Sequence, residues 1–184
     1  MFKTFKQDDF GTKTLTKSSA VRGIRQKLLE SYPRLESVID DLLPKKDPCV
    51  VVRGRDEFAF FNFLAVADQI LFFQNGNDGQ WLPTLRVLHQ YPSMMPKMQV
   101  DVGAIKFILK GANVMSPGLI SAGGRFETGI KKGGFVQVTA ENCVHACGIG
   151  CMQMDSDSLP GSNGVAIESI HYLNDGLFKI DRVN

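Results

Sequence analysis

The chain has 184 residues, 43% of them hydrophobic and 22% charged, a composition that fits one ordinary globular domain or two small ones and excludes a disordered tail protein. Lys and Arg total 21 against 19 Asp and Glu, so the net charge of +2 excludes a histone-like or polybasic membrane-binding chain and makes any anion-binding surface local. The N-terminal residues lack the apolar core of a signal peptide, and the longest apolar stretch, 58–67, is interrupted by Asn62 and too short to span a bilayer; a cytoplasmic protein without membrane contact is expected. Cys49, Cys143, Cys147 and Cys151 are too few and too clustered for a secreted disulfide scaffold and are expected as reduced thiols.

Up to residue 27 the chain carries seven Lys and Arg against Asp8 and Asp9, an excess of five, so the remainder is slightly acidic. Such a basic segment attracts phosphates, although a solvated helix face has the same composition. Ser18 and Ser19 precede Val21, Ile24, Leu28 and Tyr32 at helical spacing, which predicts a serine-capped helix closed by Pro33. Leu35, Val38, Ile39 and Leu42 repeat the helical stripe up to Pro44 and predict the second arm of a helical hairpin. The runs 49–52, 58–63 and 70–73 are β-branched and aromatic between turn residues, so three antiparallel strands are expected, covered on one face by the helices. After the Asn- and Gly-rich turn 74–79, Pro83 at a first helical position with Leu85, Leu88 and Tyr91 predicts a third helix. Segment 92–98, with two prolines and three methionines, reads as a packed connector that divides the chain into domains 1–94 and 95–184. Asp101 then caps a short helix with Val102, Ile105, Ile108 and Leu109 inward, Lys106 and Lys110 outward, and Gly111 as a left-handed stop. Short segments at 113–115, 135–138, 144–154, 165–172 and 177–180, with glycine-rich breaks, predict a small β-barrel.

The run VDVGAIKFILKGANVMSPG at 100–118 resembles the core signature of PUA domains, pseudo-barrel RNA-binding modules. Upstream, LPKKDP at 43–48 and LPTLRVLH at 82–89 look like the companion domain, and IHYLNDGL at 170–177 looks like the C-terminal strand pair. Together they make the chain similar to the malignant T-cell-amplified sequence family, whose members resemble the N-terminal part of ligatin; only the stretch 121–135, with its paired glycines, is more glycine-rich than the family pattern. The resemblance implies an α+β protein, an N-terminal α/β pre-PUA domain followed by a C-terminal PUA pseudo-β-barrel. It also implies a non-enzymatic translation factor that binds the small ribosomal subunit with the density-regulated protein, removes tRNA during recycling and promotes reinitiation. The alternative is a PUA-type subunit that targets an RNA-modification enzyme to tRNA or rRNA.

Residues with little or no side chain, Gly103, Gly111, Ala112 and Gly118, let a ligand backbone approach closely, and Lys106 and Lys110 add charge beside them. By resemblance, Lys106, Lys110, Gly111, Ala112, Asn113, Pro117 and Gly118 line an RNA surface that Arg125, Lys131 and Lys132 extend, while Arg22, Arg25 and Lys27 form a basic surface facing the ribosome. Gly111 is better explained as a helix stop, and segment 117–118 is also explained as a turn. Cys143, His145, Cys147 and Cys151 offer zinc-type donors, but on a strand their odd spacing spreads them along one face, so core packing and no metal are expected. No P-loop or dinucleotide fingerprint occurs, and His89, His145 and His171 fall on a helix end and two strands as packing or surface residues, so no catalytic residue and no cofactor are expected.

Overall fold

The computed structural model describes residues 1–55, 59–180, 182 and 183; Phe58, expected in the second strand, lies outside the described residues. The chain is α+β and forms two compact units, one of residues 4–94 and 179–184 and the other of residues 1–3 and 95–178. Among the described residues no helix is long and apolar enough to cross a membrane.

In the first unit, strand β1 (Phe10–Leu15) leads into helix α1 (Ser18–Ser31). Ser18 is the first helical residue and not the cap: Lys17 occupies the cap position and supplies no side-chain hydrogen bond. Pro33 ends the helix as expected, because its ring disfavours helical torsions at Tyr32, which sits at φ −134°. Tyr32 is buried and its hydroxyl donates to the Trp81 carbonyl at 2.9 Å while Gln80 Nε2 donates to it; burial pushes the phenol well above its ordinary pKa. The expected second arm is broken into a 3-10 turn, Pro33–Leu35, and one helical turn, α2 (Ile39–Leu42). Val38 leaves helical torsions at φ −125°, yet Leu35, Ile39 and Leu42 are buried all the same, so successive turns satisfy the apolar stripe without a continuous ladder.

Strands β2 (Cys49–Arg55), β3 (Phe60–Val66) and β4 (Gln69–Asn75) pair antiparallel as expected, with β1 on one edge and the short β5 (Leu82–Pro83) on the other. Phe61, Phe63, Leu64, Phe72 and Phe73 are essentially inaccessible, which makes β3 and β4 the core of this unit. β1 carries no apolar alternation because it is an exposed edge, and for that reason the sequence does not reveal it. Helix α3 (Leu85–Gln90) starts after Thr84, whose hydroxyl accepts from Val87 N at 3.5 Å; Pro83 belongs to β5 and not to the first turn.

Met94 ends the first unit buried; in the second, Met95 and Met98 are buried, and part of the expected connector is itself a strand, β6 (Lys97–Val100). Then follow a 3-10 turn (Val102–Ala104), α4 (Ile105–Ile108), β7 (Val114–Met115), α5 (Ser116–Ile120), β8 (Arg125–Phe126), β9 (Phe135–Ala140), β10 (Gly148–Met152), β11 (Val165–Tyr172) and α6 (Gly176–Lys179). The sheet runs β7-β11-β10-β9-β6-β8, antiparallel except between β6 and β9, around a core that includes Met98, Val100, Ile108, Leu119, Val136, Met152 and Ile167. Two expectations are corrected: Val102 is 55% exposed and does not face inward, and segment 177–180 is not a strand. Asp175 directs that change by accepting from Phe178 N at 2.8 Å, which opens a helical turn instead.

Candidate nucleic-acid interface

Asp101 organises the site. Its Oδ1 accepts from Ala104 N at 3.1 Å, its Oδ2 accepts from the Ser121 hydroxyl at 2.8 Å, and its own N–H donates to the Gly118 carbonyl at 3.0 Å. Asp101 thereby ties the turn that leads into α4 to the middle of α5, through its N–H, and to the residue that follows α5, through its carboxylate. Between these turns and β7 opens a groove of about 620 Å³, lined by Gly103, Phe107, Ala112, Asn113, Met115 and Gly118 among others. Its mouth is amphipathic: Phe107 is 54% and Met115 44% exposed, while Lys106 Nζ lies 5.1 Å from the centre of the Phe107 ring. Lys110 is exposed one turn further on. Phe107 and Met115 were missed as site residues, although Phe107 lies three residues before Lys110 and so shares its outward face.

Beyond Lys106 and Lys110, the expected RNA residues fall into three groups. Ala112, Asn113 and Gly118 line the groove, and Asn113 Oδ1 already accepts from Ser169 N at 3.0 Å, which leaves its amide NH₂ for a ligand. Gly111 is the helix stop, at φ +81°, with its N–H donating to the Ile108 carbonyl at 2.8 Å; Pro117 sits exposed in the first turn of α5. Arg125, Lys131 and Lys132 are exposed but do not line the groove. Lys131 is ion-paired with Asp155 at 2.8 Å, and Asp155 also accepts from Lys132 N at 2.9 Å. Ser156 Oγ accepts from Ile130 N and Asp157 from Gly129 N, so the glycine-rich segment is pinned along its second half by residues 155–157.

The Lys131 ammonium and the Lys132 N–H hold the Asp155 carboxyl below its ordinary value. A carboxylate depressed in the folded state stabilises above its ordinary pKa and loses that contribution as pH falls through the depressed value. The Lys132 amide resonance should therefore titrate with a midpoint below the ordinary Asp value of about 3.9. A midpoint at the ordinary value would show that the loop is not tied in solution.

Of the basic residues on α1, Lys27 is exposed, whereas Arg25 is turned inward, donating to the Leu43 carbonyl at 2.6 Å and pairing with Asp40. Arg22 lies at the mouth of a second groove, beneath the first turn of α1. The cysteine stretch differs from a single strand face, since β10 begins only at Gly148 and His145 sits in the loop before it. Cys143 is exposed, so packing does not explain it, while Cys147 is buried and its thiol is pushed up to about 11 by that burial. No group of three His, Cys, Asp or Glu suited to a metal ion occurs among the described residues.

Comparison with known proteins matches a Pre-PUA-like domain to residues 5–92 and a PUA domain to residues 96–173. The chain is 41% identical over 186 residues to translation machinery-associated protein 20 of Eremothecium gossypii, covering 100% of both chains. It is 43% identical over 181 residues to the malignant T-cell-amplified sequence 1 homolog of Drosophila melanogaster, covering 97% of each. The crystal structure of a hypothetical protein from Pyrococcus horikoshii OT3 superposes with a TM-score of 0.73 over 92% of this chain and 99% of that one; at 24% identity this likeness concerns the fold alone.

Proposed function

Because the chain belongs to the malignant T-cell-amplified sequence family, we propose that it is a non-enzymatic translation factor that binds the small ribosomal subunit together with the density-regulated protein, promoting tRNA removal during recycling and reinitiation. The observation that carries the RNA-binding part is the exposed pair Lys106 and Lys110 beside the amphipathic groove of the PUA unit. Two cations four residues apart suit successive phosphates, and the nearly side-chain-free wall at Gly103, Ala112 and Gly118 admits a nucleic-acid backbone. Exposed Phe107 offers a ring face to an unpaired base, as expected of a single-stranded end and not of a duplex. A relative named for association with the translation machinery supports the ribosome as the setting. Lys27 and the other lysines of the N-terminal segment are a separate phosphate-attracting group of charges, and Arg125 and Lys132 add to that of the PUA unit.

The test is the double variant Lys106→Glu with Lys110→Glu, bound to purified small subunits over a series of salt concentrations. Affinity should fall, and the slope of log affinity against log salt should shrink by about two, one for each lost phosphate contact. The melting temperature and capture of the density-regulated protein should not change, since both side chains point outward. Unchanged RNA affinity with loss of the protein partner would move α4 to a protein interface and overturn the assignment.

A further inference from the structure

The second groove, of about 460 Å³, lies where β1 turns into α1 and the segment 43–49 crosses beside it, the two held together by Thr16 N donating to the Cys49 carbonyl at 2.9 Å. Its walls differ in character. Leu15, 67% exposed, joins Val21, Pro44 and Pro48 on the apolar side, while Arg22, Arg25, Lys45 and Lys46 face Asp47 as the one acidic residue of the lining. Asp40 compensates Arg25, but among the described residues Arg22, Lys45 and Lys46 form no ion pair. The first turn of α1, at the rim, carries neither an acidic residue nor a side-chain cap, so its N–H groups add to the positive end. Within the groove the Thr16 hydroxyl is buried without a hydrogen-bond partner among the described residues. A polar group left so costs stability unless something supplies its partner.

We propose that this groove is the docking site for an extended acidic and apolar segment of a partner protein, its carboxylates facing Arg22, Lys45 and Lys46 and its apolar side chains resting on Leu15, Val21 and Pro44. Charge complementarity selects the acidic part of that segment, and the exposed leucine and prolines select the apolar part. The lining holds no aromatic ring on which a base would stack, which distinguishes it from the Phe107 groove and from single-stranded nucleic-acid sites in general. The inference deepens the proposed function by giving its N-terminal unit a protein-docking face, and it rests on that reading for the existence of a translation partner.

The experiment is fluorescence polarisation on the full chain with three labelled probes of equal length: a peptide alternating Glu and Leu, an all-Glu peptide, and oligouridylate. The Glu-Leu peptide should bind. Combining Arg22→Glu with Lys45→Glu should weaken it about tenfold or more, and Leu15→Ser should weaken it several-fold, with melting unchanged. The all-Glu peptide should bind less tightly and ignore Leu15→Ser. Should the charge variant fail to fold, Leu15→Ser decides, because that side chain is exposed. No binding of the Glu-Leu peptide, or binding indifferent to the substitutions, overturns the proposal; so does oligouridylate that displaces the peptide and is lost in the same variants, which would make this an RNA surface. Small-subunit binding measured in parallel separates the two readings. Wild-type chain that binds subunits but not the peptide sinks the groove alone; chain that binds the peptide but not subunits sinks the translation reading alone.

Discussion

Replacing Gly111 by alanine should destabilise the PUA unit by about 2–4 kcal/mol, the sum of a left-handed backbone cost and a steric cost. Gly111 adopts φ +81°, which an L side chain enters only with strain, and a Cβ built there would lie 2.7 Å from the Tyr172 ring. Tyr172 is buried at the end of β11, so the ring has little room to retreat. Denaturant unfolding followed by amide exchange of β11 measures the loss. The companion variant Tyr172→Leu separates the two costs: in the double variant the steric part should be relieved, giving less than the sum of the single losses, while the backbone part remains. Strict additivity would mean that ring and turn are not in contact in solution. Because Gly111 closes the turn that follows α4, with Lys106 on the helix and Lys110 in that turn, the same change should loosen the RNA surface, and for this position the structural and functional explanations converge.

Removing the carboxylate of Asp175 should be comparably severe, about 3–5 kcal/mol for Asp175→Ala. Asp175 is 1% exposed and its two oxygens serve three donors: His171 Nδ1 at 2.7 Å, Tyr172 N at 3.0 Å and Phe178 N at 2.8 Å. A carboxylate accepts and does not donate, so the imidazole hydrogen sits on Nδ1, and alanine would leave the three donors without that acceptor. Asp175→Asn retains one carbonyl oxygen and should cost less, with α6 fraying first because Phe178 N loses its cap. Circular dichroism and unfolding curves of the two variants provide the check; equal losses would show that the carboxylate is not the common acceptor.

The elements that could be read from the residues are those whose burial leaves a mark in the sequence. Helix α1 repeats apolar residues on the one face it hides, β3 and β4 are buried on both faces and read as continuous apolar and aromatic runs, and Pro33 marks a stop by sterics alone. The edge strand β1 and the short β8 have no buried face to write a pattern, and α2 breaks off although its stripe continues, because Val38 leaves helical torsions while the turns on either side still bury their apolar residues. The turn after Tyr172 looks strand-like by composition, but an aspartate at the cap position makes it helical.

For the site, sequence alone determined what is local: the outward pair Lys106 and Lys110, the cap at Asp101 and the stop at Gly111, each set by spacing of about one helical turn. The family resemblance lay in those same contiguous residues. Only the tertiary structure decided which charges remain available, because an ion pair joins residues distant in the chain. Lys131 is spent on Asp155 and Arg25 on Asp40 and the Leu43 carbonyl, whereas Lys106 and Lys110 stay outward. Both grooves likewise depend on closure between distant segments, Phe107 against Met115 and Val165 in one, Leu15 against Pro44 and Pro48 in the other; a concave surface has no period along the chain, so no pattern in the sequence announces it.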